Sequence, residues 1–340
     1  MKVRRVFHAL GLLATFSAVA ALGQVSLSAA RAVAQESIKQ GDLAVISFAP
    51  IYLAEEKGFF AEQGMKVEYV RFVSGAKMAA PLATGQIEVA TGSMGAGFFN
   101  ALAQGSDVLV VADKGQTRKG YGFTQLVVRK DLIDSGRVKS IKDFKGLTLA
   151  TNAPMNVTIF WVGRALQSAG LSLEDVNWKF ISFPNQLTAL KNKAVDAVGN
   201  AEPWGAQIEK TGVGVRFLSP ADFDTSKDLQ VATIMYNGAF ARERRSAAQK
   251  YMNAYVKAVR YYNERGMKDA EVVDILHKWT KVPKDIIQSA VPFYLHPYGM
   301  PNLQSISAMQ DYFFEVGAVK KKTPIEKFAD VSFVKKAAGM

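Results

Sequence analysis

Along the chain, short apolar runs rich in β-branched residues alternate with amphipathic stretches that end in glycine. Residues 43–47 read as a strand, 51–63 as a helix stopped by Gly64, 65–73 as an alternating strand and 76–84 as a helix closed by Gly85. Residues 87–90 follow as a strand, 97–104 as a helix ended by Gly105, and 108–112 as a further strand. Strands parted by helical stretches of this length predict parallel βαβ units in a doubly wound α/β sheet.

The rhythm breaks at 121–129, a longer extended run with no helix behind it. It restarts with strands at 147–150, 177–183 and 194–199 and helices at 157–169 and 186–192. A second long extended run, 229–240, leads into helices at 245–265, 269–280, 283–290 and 303–316. Two α/β units joined by two extended crossings predict a two-lobed hinge protein. Its first lobe would hold residues 38–122 and 230–340, with the helical C-terminal part, and its second lobe residues 123–229.

The N-terminus changes the picture by setting the compartment. Lys2, Arg4 and Arg5 precede an uncharged apolar run to Leu22, and Ala32-Val33-Ala34 offers the small-x-small pattern of a cleavage site. The run is too short for a permanent membrane span. Residues 1–34 therefore read as a signal peptide cut near Ala34, which places the mature chain in the periplasm. Four of the +12 formal charges leave with the leader, so the mature chain keeps +8. No basic stripe with interleaved aromatics accompanies that surplus, which argues against a nucleic-acid partner. The chain has no cysteine, which excludes thiol chemistry and a lipid-anchored start.

Ligands of open α/β sheets lie beyond the carboxyl ends of the strands. The loops there hold Phe48 and Tyr52, Ser74 and Gly75, Ser93 and Met94, then Asn152, Met155 and Asn156, Asn185, and Glu202 with Trp204. Small polar residues, amides and glycine at helix starts suit anions or polar heterocycles, while the large side chains suit a ligand with an apolar part. At any single loop these residues also serve as helix caps or core. Catalytic patterns fit poorly. Thr91-Gly92-Ser93-Met94-Gly95 sits at a strand-to-helix turn but has Thr where a nucleophile elbow has Gly. Asp222-x-Asp224-x-Ser226-x-Asp228 starts like a calcium loop but has Lys227 at its turn position and Thr233 where a bidentate Glu belongs. No HExxH, CxxC or GxxxxGK[ST] pattern occurs, so neither metal nor cofactor is expected.

Three stretches together carry a family resemblance: 48–60 with 64–68, then 141–150, then Ala189-Leu190 with 194–197 and Glu202-Pro203-Trp204. A weaker likeness, 295–299 with 330–334, reaches the end of the chain. In these the chain resembles the nitrate/sulfonate/taurine family of ABC-importer solute-binding proteins, which includes relatives that bind thiamine-pyrimidine precursors. The resemblance implies a two-lobed, type II-like periplasmic binding protein whose doubly wound sheets are joined by two hinge strands. It implies closure on a small-molecule solute and delivery to an inner-membrane ABC permease with its ATPase. Carried over loop by loop, it puts Phe48, Tyr52, Ser74, Gly75, Ser93 and Met94 on the first-lobe side of the ligand. Asn152, Met155, Asn156, Asn185, Glu202 and Trp204 fall on the second-lobe side, and Arg118 or Tyr121 on the cleft floor. Glu202 is open between ligand contact and turn former. The same fold hosts enzymes. A pyrimidine-precursor enzyme is disfavoured by the leader and a sulfinate-cleaving one by the missing cysteine; an input module for a periplasmic sensor would look identical in sequence.

Overall fold

The computed structural model describes residues 35–222 and 228–340. The leader and its cleavage site lie outside the described residues, as does most of the segment weighed against calcium. The described residues form ten strands: β1 Glu36–Asp42, β2 Met65–Arg71, β3 Val89–Gly92, β4 Val108–Thr117, β5 Thr124–Arg129, β6 Thr148–Thr151, β7 Asn177–Phe180, β8 Ala197–Ala201, β9 Gly214–Leu218 and β10 Leu229–Asn237. They make two five-stranded sheets, in the orders β2-β1-β3-β10-β4 and β7-β6-β8-β5-β9.

Each sheet is parallel except for one strand that enters from the other lobe. β1 pairs parallel with β2 and β3, whereas β10 runs antiparallel between β3 and β4. β6 pairs parallel with β7 and β8, whereas β5 runs antiparallel between β8 and β9. The chain leaves the first sheet after Thr117, joins the second at Thr124, and is back in the first at Leu229. This two-lobed α/β architecture is the one the sequence predicts.

The first strand lies earlier than expected. β1 is Glu36–Asp42, and the predicted strand at 43–47 is instead a loop running into a 3-10 turn, Ile46–Phe48, and the helix Ala49–Glu56. Polar residues conceal β1: Gln40 and Asp42 are both buried. Each accepts from a tyrosine, Tyr251 donating to Gln40 Oε1 at 2.6 Å and Tyr52 to Asp42 Oδ1 at 2.6 Å, while Gln40 Nε2 is buried without a partner. The expected helix over 51–63 is cut in two at Gly58, which takes φ 72° before the short helix Phe59–Glu62.

The helical C-terminal third completes the first lobe and also reaches the second. The helix Arg245–Arg265 buries Tyr251, Tyr255, Val259 and Tyr262 on one face, and Tyr255 donates to the Asp113 carbonyl at 2.6 Å. The helix Leu303–Glu315 instead crosses to the second-lobe helix Val157–Ser168, where Tyr312 meets Phe160 edge-on at 5.3 Å. That approach requires Gly163, because a Cβ there would stand 1.8 Å from the Tyr312 hydroxyl oxygen. The hydroxyl itself is buried without a partner, so it contributes crowding and no bond.

Gly163→Ala should therefore destabilise the protein by roughly 1–3 kcal/mol through overpacking, against its intrinsic helix-favouring effect. Tyr312→Phe should be nearly neutral and should recover part of the loss in the double variant. Thermal denaturation of the four proteins checks this; independent, additive effects would contradict the contact.

Candidate functional site

Between the lobes lies a cavity of about 420 Å³, within the usual range for small-molecule sites. From the first lobe it is lined by the 74–80 segment, the turn after β3 and the helix Ala96–Ala103; from the second, by residues 152–156. Its wall is largely apolar, with Met78, Leu82, Phe98, Leu102, Met155 and Met235. Ser74, Ser93, Ser106, Asn152 and Asn156 bring the polar side chains.

A smaller recess of about 50 Å³ adjoins the chamber and shares Gly75, Ser93, Asn152 and Asn156 with it. Lys114 lines this recess. Its side chain is almost wholly buried, its Nζ donates to Ser47 Oγ at 2.8 Å, and it sits 3.6 Å over the Phe48 ring centre. Burial pushes the Lys114 ammonium well below the usual lysine range, partly opposed by Asp42 and Asp113. Neighbouring Asp113, fully buried, is pushed up to about 6 by desolvation against hydrogen bonds from Gln230 and the His296 and Gly115 N–H groups. The sequence reading missed Lys114 because it ended the strand at Ala112, whereas β4 runs on to Thr117. The available signal was a lysine set between an apolar strand and Gly115.

Of the predicted contacts, the structure brings Ser74, Gly75, Ser93, Asn152, Met155 and Asn156 together around the chamber. Asn156 is also the helix cap: its Oδ1 accepts from the Ile159 N–H at 3.1 Å while its Nδ2 donates to Thr151 and Asn152. The other predicted contacts lie elsewhere. With β1 earlier than expected, Phe48 and Tyr52 fall on inward turns; Tyr52 stacks on Trp279 at 4.6 Å in the first-lobe core. Met94 is core as well. Arg118 pairs through two bonds with Asp228, tying the outgoing crossing to the returning one, and packs over Tyr294. Tyr121 lines a separate pocket with residues 262–268 and 292–297. Asn185 is exposed on the first turn of the helix Phe183–Lys191.

Glu202 and Trp204 are interlobe fittings and not cavity walls. The Glu202 carboxylate is buried and accepts from Gln125 Nε2 at 2.8 Å, the Ala206 N–H at 2.9 Å and the Val291 N–H at 3.1 Å. Arg216 stands 3.3 Å away. Desolvation raises the pKa of the Glu202 carboxyl above the ordinary glutamate value, with Arg216 opposing. Its backbone carbonyl takes the Ile46 N–H, and Trp204 Nε1 donates to the Ala44 carbonyl at 3.0 Å.

At the chamber itself the lobes meet backbone to backbone. The Ala96 N–H donates to the Met155 carbonyl at 2.9 Å, and a Cβ on Gly95 would lie 2.4 Å from that same oxygen. Gly95 has an extended backbone, φ −145° and ψ −178°, which alanine adopts freely. Met155 holds φ 43°, a left-handed conformation uncommon for a side chain of its size.

Comparison with known proteins gives the following. Residues 45–265, well over half the chain, match the profile of the family described as NMT1/THI5 like. The chain is 24% identical over 300 residues to YtlA of Bacillus subtilis (strain 168), covering 86% of each. It shares its fold with the alkanesulfonate-binding protein SsuA of Xanthomonas axonopodis pv. citri bound to MOPS, with TM-score 0.69, 18% identity and coverage of 87% and 98% of the two chains. The desulfurization enzyme DszB shares the fold too, at TM-score 0.61, 15% identity and coverage of 89% and 99%.

Two outcomes follow. Gly95→Ala should leave the unliganded melting temperature close to wild type but weaken binding of any cleft ligand by roughly 5- to 150-fold, the equivalent of 1–3 kcal/mol lost from the closed form. Unchanged affinity by calorimetry would mean that the Ala96–Met155 contact is not part of the bound state. Glu202→Ala strands Arg216 and three donors and should cost about 3–5 kcal/mol in chemical denaturation; retained stability with lost binding would return Glu202 to the ligand.

Proposed function

The chain belongs to the NMT1/THI5 like family, and from that premise we propose that it is the extracytoplasmic solute-binding component of an ABC importer. It takes a small organic solute between its lobes and closes on it. The chamber carries this reading, because it is walled by the strand-end segments of both lobes at once. A ligand touching both walls gains contacts only when the lobes meet, so binding shifts the population toward the closed form. Signal-peptide features in residues 1–34 support export, with cleavage near Ala34 and delivery to the periplasm. Among the described residues no helix is long and apolar enough to cross a membrane. The partner would be an inner-membrane permease with its ATPase.

An enzyme on this fold has less support. Ser74 and Ser93 line the chamber, but neither His277 nor His296 is among its lining residues. His277 instead faces the Val282 carbonyl at 2.7 Å, and His296 accepts the Tyr298 N–H at 3.2 Å. The chain also has no cysteine to act as nucleophile.

A thermal-shift screen of refolded, ligand-stripped protein tests the proposal. The panel holds sulfonates, nitrate, taurine, aromatic carboxylates, pyrimidines and other nitrogen heterocycles. A solute at about a hundred times its Kd should add roughly 2.7 kcal/mol, and small-angle scattering should show the radius of gyration falling. Asn152→Ala should weaken that binding without unfolding the protein. A radius that stays fixed at saturation would count against closure.

A further inference from the structure

Resting on the binding reading above, we infer that Lys114 anchors a single acidic head group, so that the solute is a monoanionic organic acid whose apolar body fills the chamber. Lys114 is 1% exposed, and its one hydrogen bond goes to a neutral hydroxyl, Ser47 Oγ. Among the described residues no carboxylate lies within ion-pair distance of its Nζ. A buried ammonium without a counter-ion is costly, and proteins ordinarily pair it or neutralise it. Here that lysine, with no carboxylate partner among the described residues, lines a recess that joins the main chamber through shared walls.

Two further features favour an anion in that recess. The helix Val157–Ser168 starts at its wall with Val157 and Thr158, presenting the positive end of a three-turn helix. Burial holds the Lys114 ammonium down in the empty site, so an entering anion would restore its charge and gain a desolvated ion pair. The size difference then sorts the ligand. About 50 Å³ of recess admits a carboxylate or sulfonate head and little else, while about 420 Å³ of adjoining chamber takes the body. Met78, Met155 and Met235 in that wall can re-pack around aliphatic or aromatic bodies.

The experiment is calorimetry with matched probes: benzoate, hexanoate and hexanesulfonate against benzamide and hexanamide, each on wild type and Lys114→Met. We expect at least one acid to bind, its amide to bind roughly 30-fold or more weaker, and Lys114→Met to lose the acid by a similar factor. Lys114→Gln, which keeps a donor toward Ser47, serves if the methionine variant does not fold. Equal affinity for acid and amide, or full affinity in the variant, overturns the assignment. If no acid binds but another compound of the wider screen closes the lobes, Lys114 is overturned and the binding reading stands. If nothing in either set closes the lobes, both fall.

Discussion

The cleft depends on one backbone hydrogen bond, from the N–H of Ala96 in the first lobe to the carbonyl of Met155 in the second. Two helix starts can meet this closely only because Gly95 carries no Cβ. The contact satisfies a donor that a helix N-terminus otherwise leaves free. It also brings Ser93 and Asn152 to the same small volume, so polar groups from separate lobes converge there. Contact between lobes and completion of the site are thus one event, which is what a protein that traps its ligand requires.

The lining divides into two unlike parts. The chamber is walled chiefly by methionine, leucine, phenylalanine and small residues, a surface that favours apolar groups without dictating their shape. The recess beside it holds the one buried lysine of the described first lobe, over the face of Phe48 and against Ser47. Specificity on this plan would come from the charged end and tolerance from the apolar end. The arrangement also explains why Phe48, though outside both cavities, still affects the site: its ring is the floor on which Lys114 rests.

The fold was legible because alternation and glycine stops survive in a sequence whose strands are mostly buried on both faces. β1 was not, since its buried positions include the polar Gln40 and Asp42, which accept from Tyr251 in a helix two hundred residues away and from Tyr52 in the next helix. That error moved Phe48 and Tyr52 from the core to the cleft. The loops at 74–75, 93 and 152–156 were placed correctly because they follow strands whose positions were read well. Glu202 could not be resolved from sequence, because its partners Gln125, Arg216 and Val291 come from three separate segments. Lys114 was hidden by ending a strand at the last uninterrupted apolar residue.

The two lobes are not bonded evenly around the cleft. Near the crossings the lobes are joined through Glu202 and Trp204: the Glu202 carboxylate takes the Val291 N–H, its carbonyl takes the Ile46 N–H, and Trp204 Nε1 donates to the Ala44 carbonyl. Arg118 and Asp228 tie the crossings to each other. At the chamber side a backbone bond joins Ala96 to Met155, and the helix Leu303–Glu315 packs Tyr312 on Phe160 of the second lobe. An opening hinged on the Glu202 set would give up that bond and that packing and expose the chamber to an entering solute. The buried Glu202 carboxylate, which takes donors from both lobes, then holds the pivot, and the glycine at position 95 the latch.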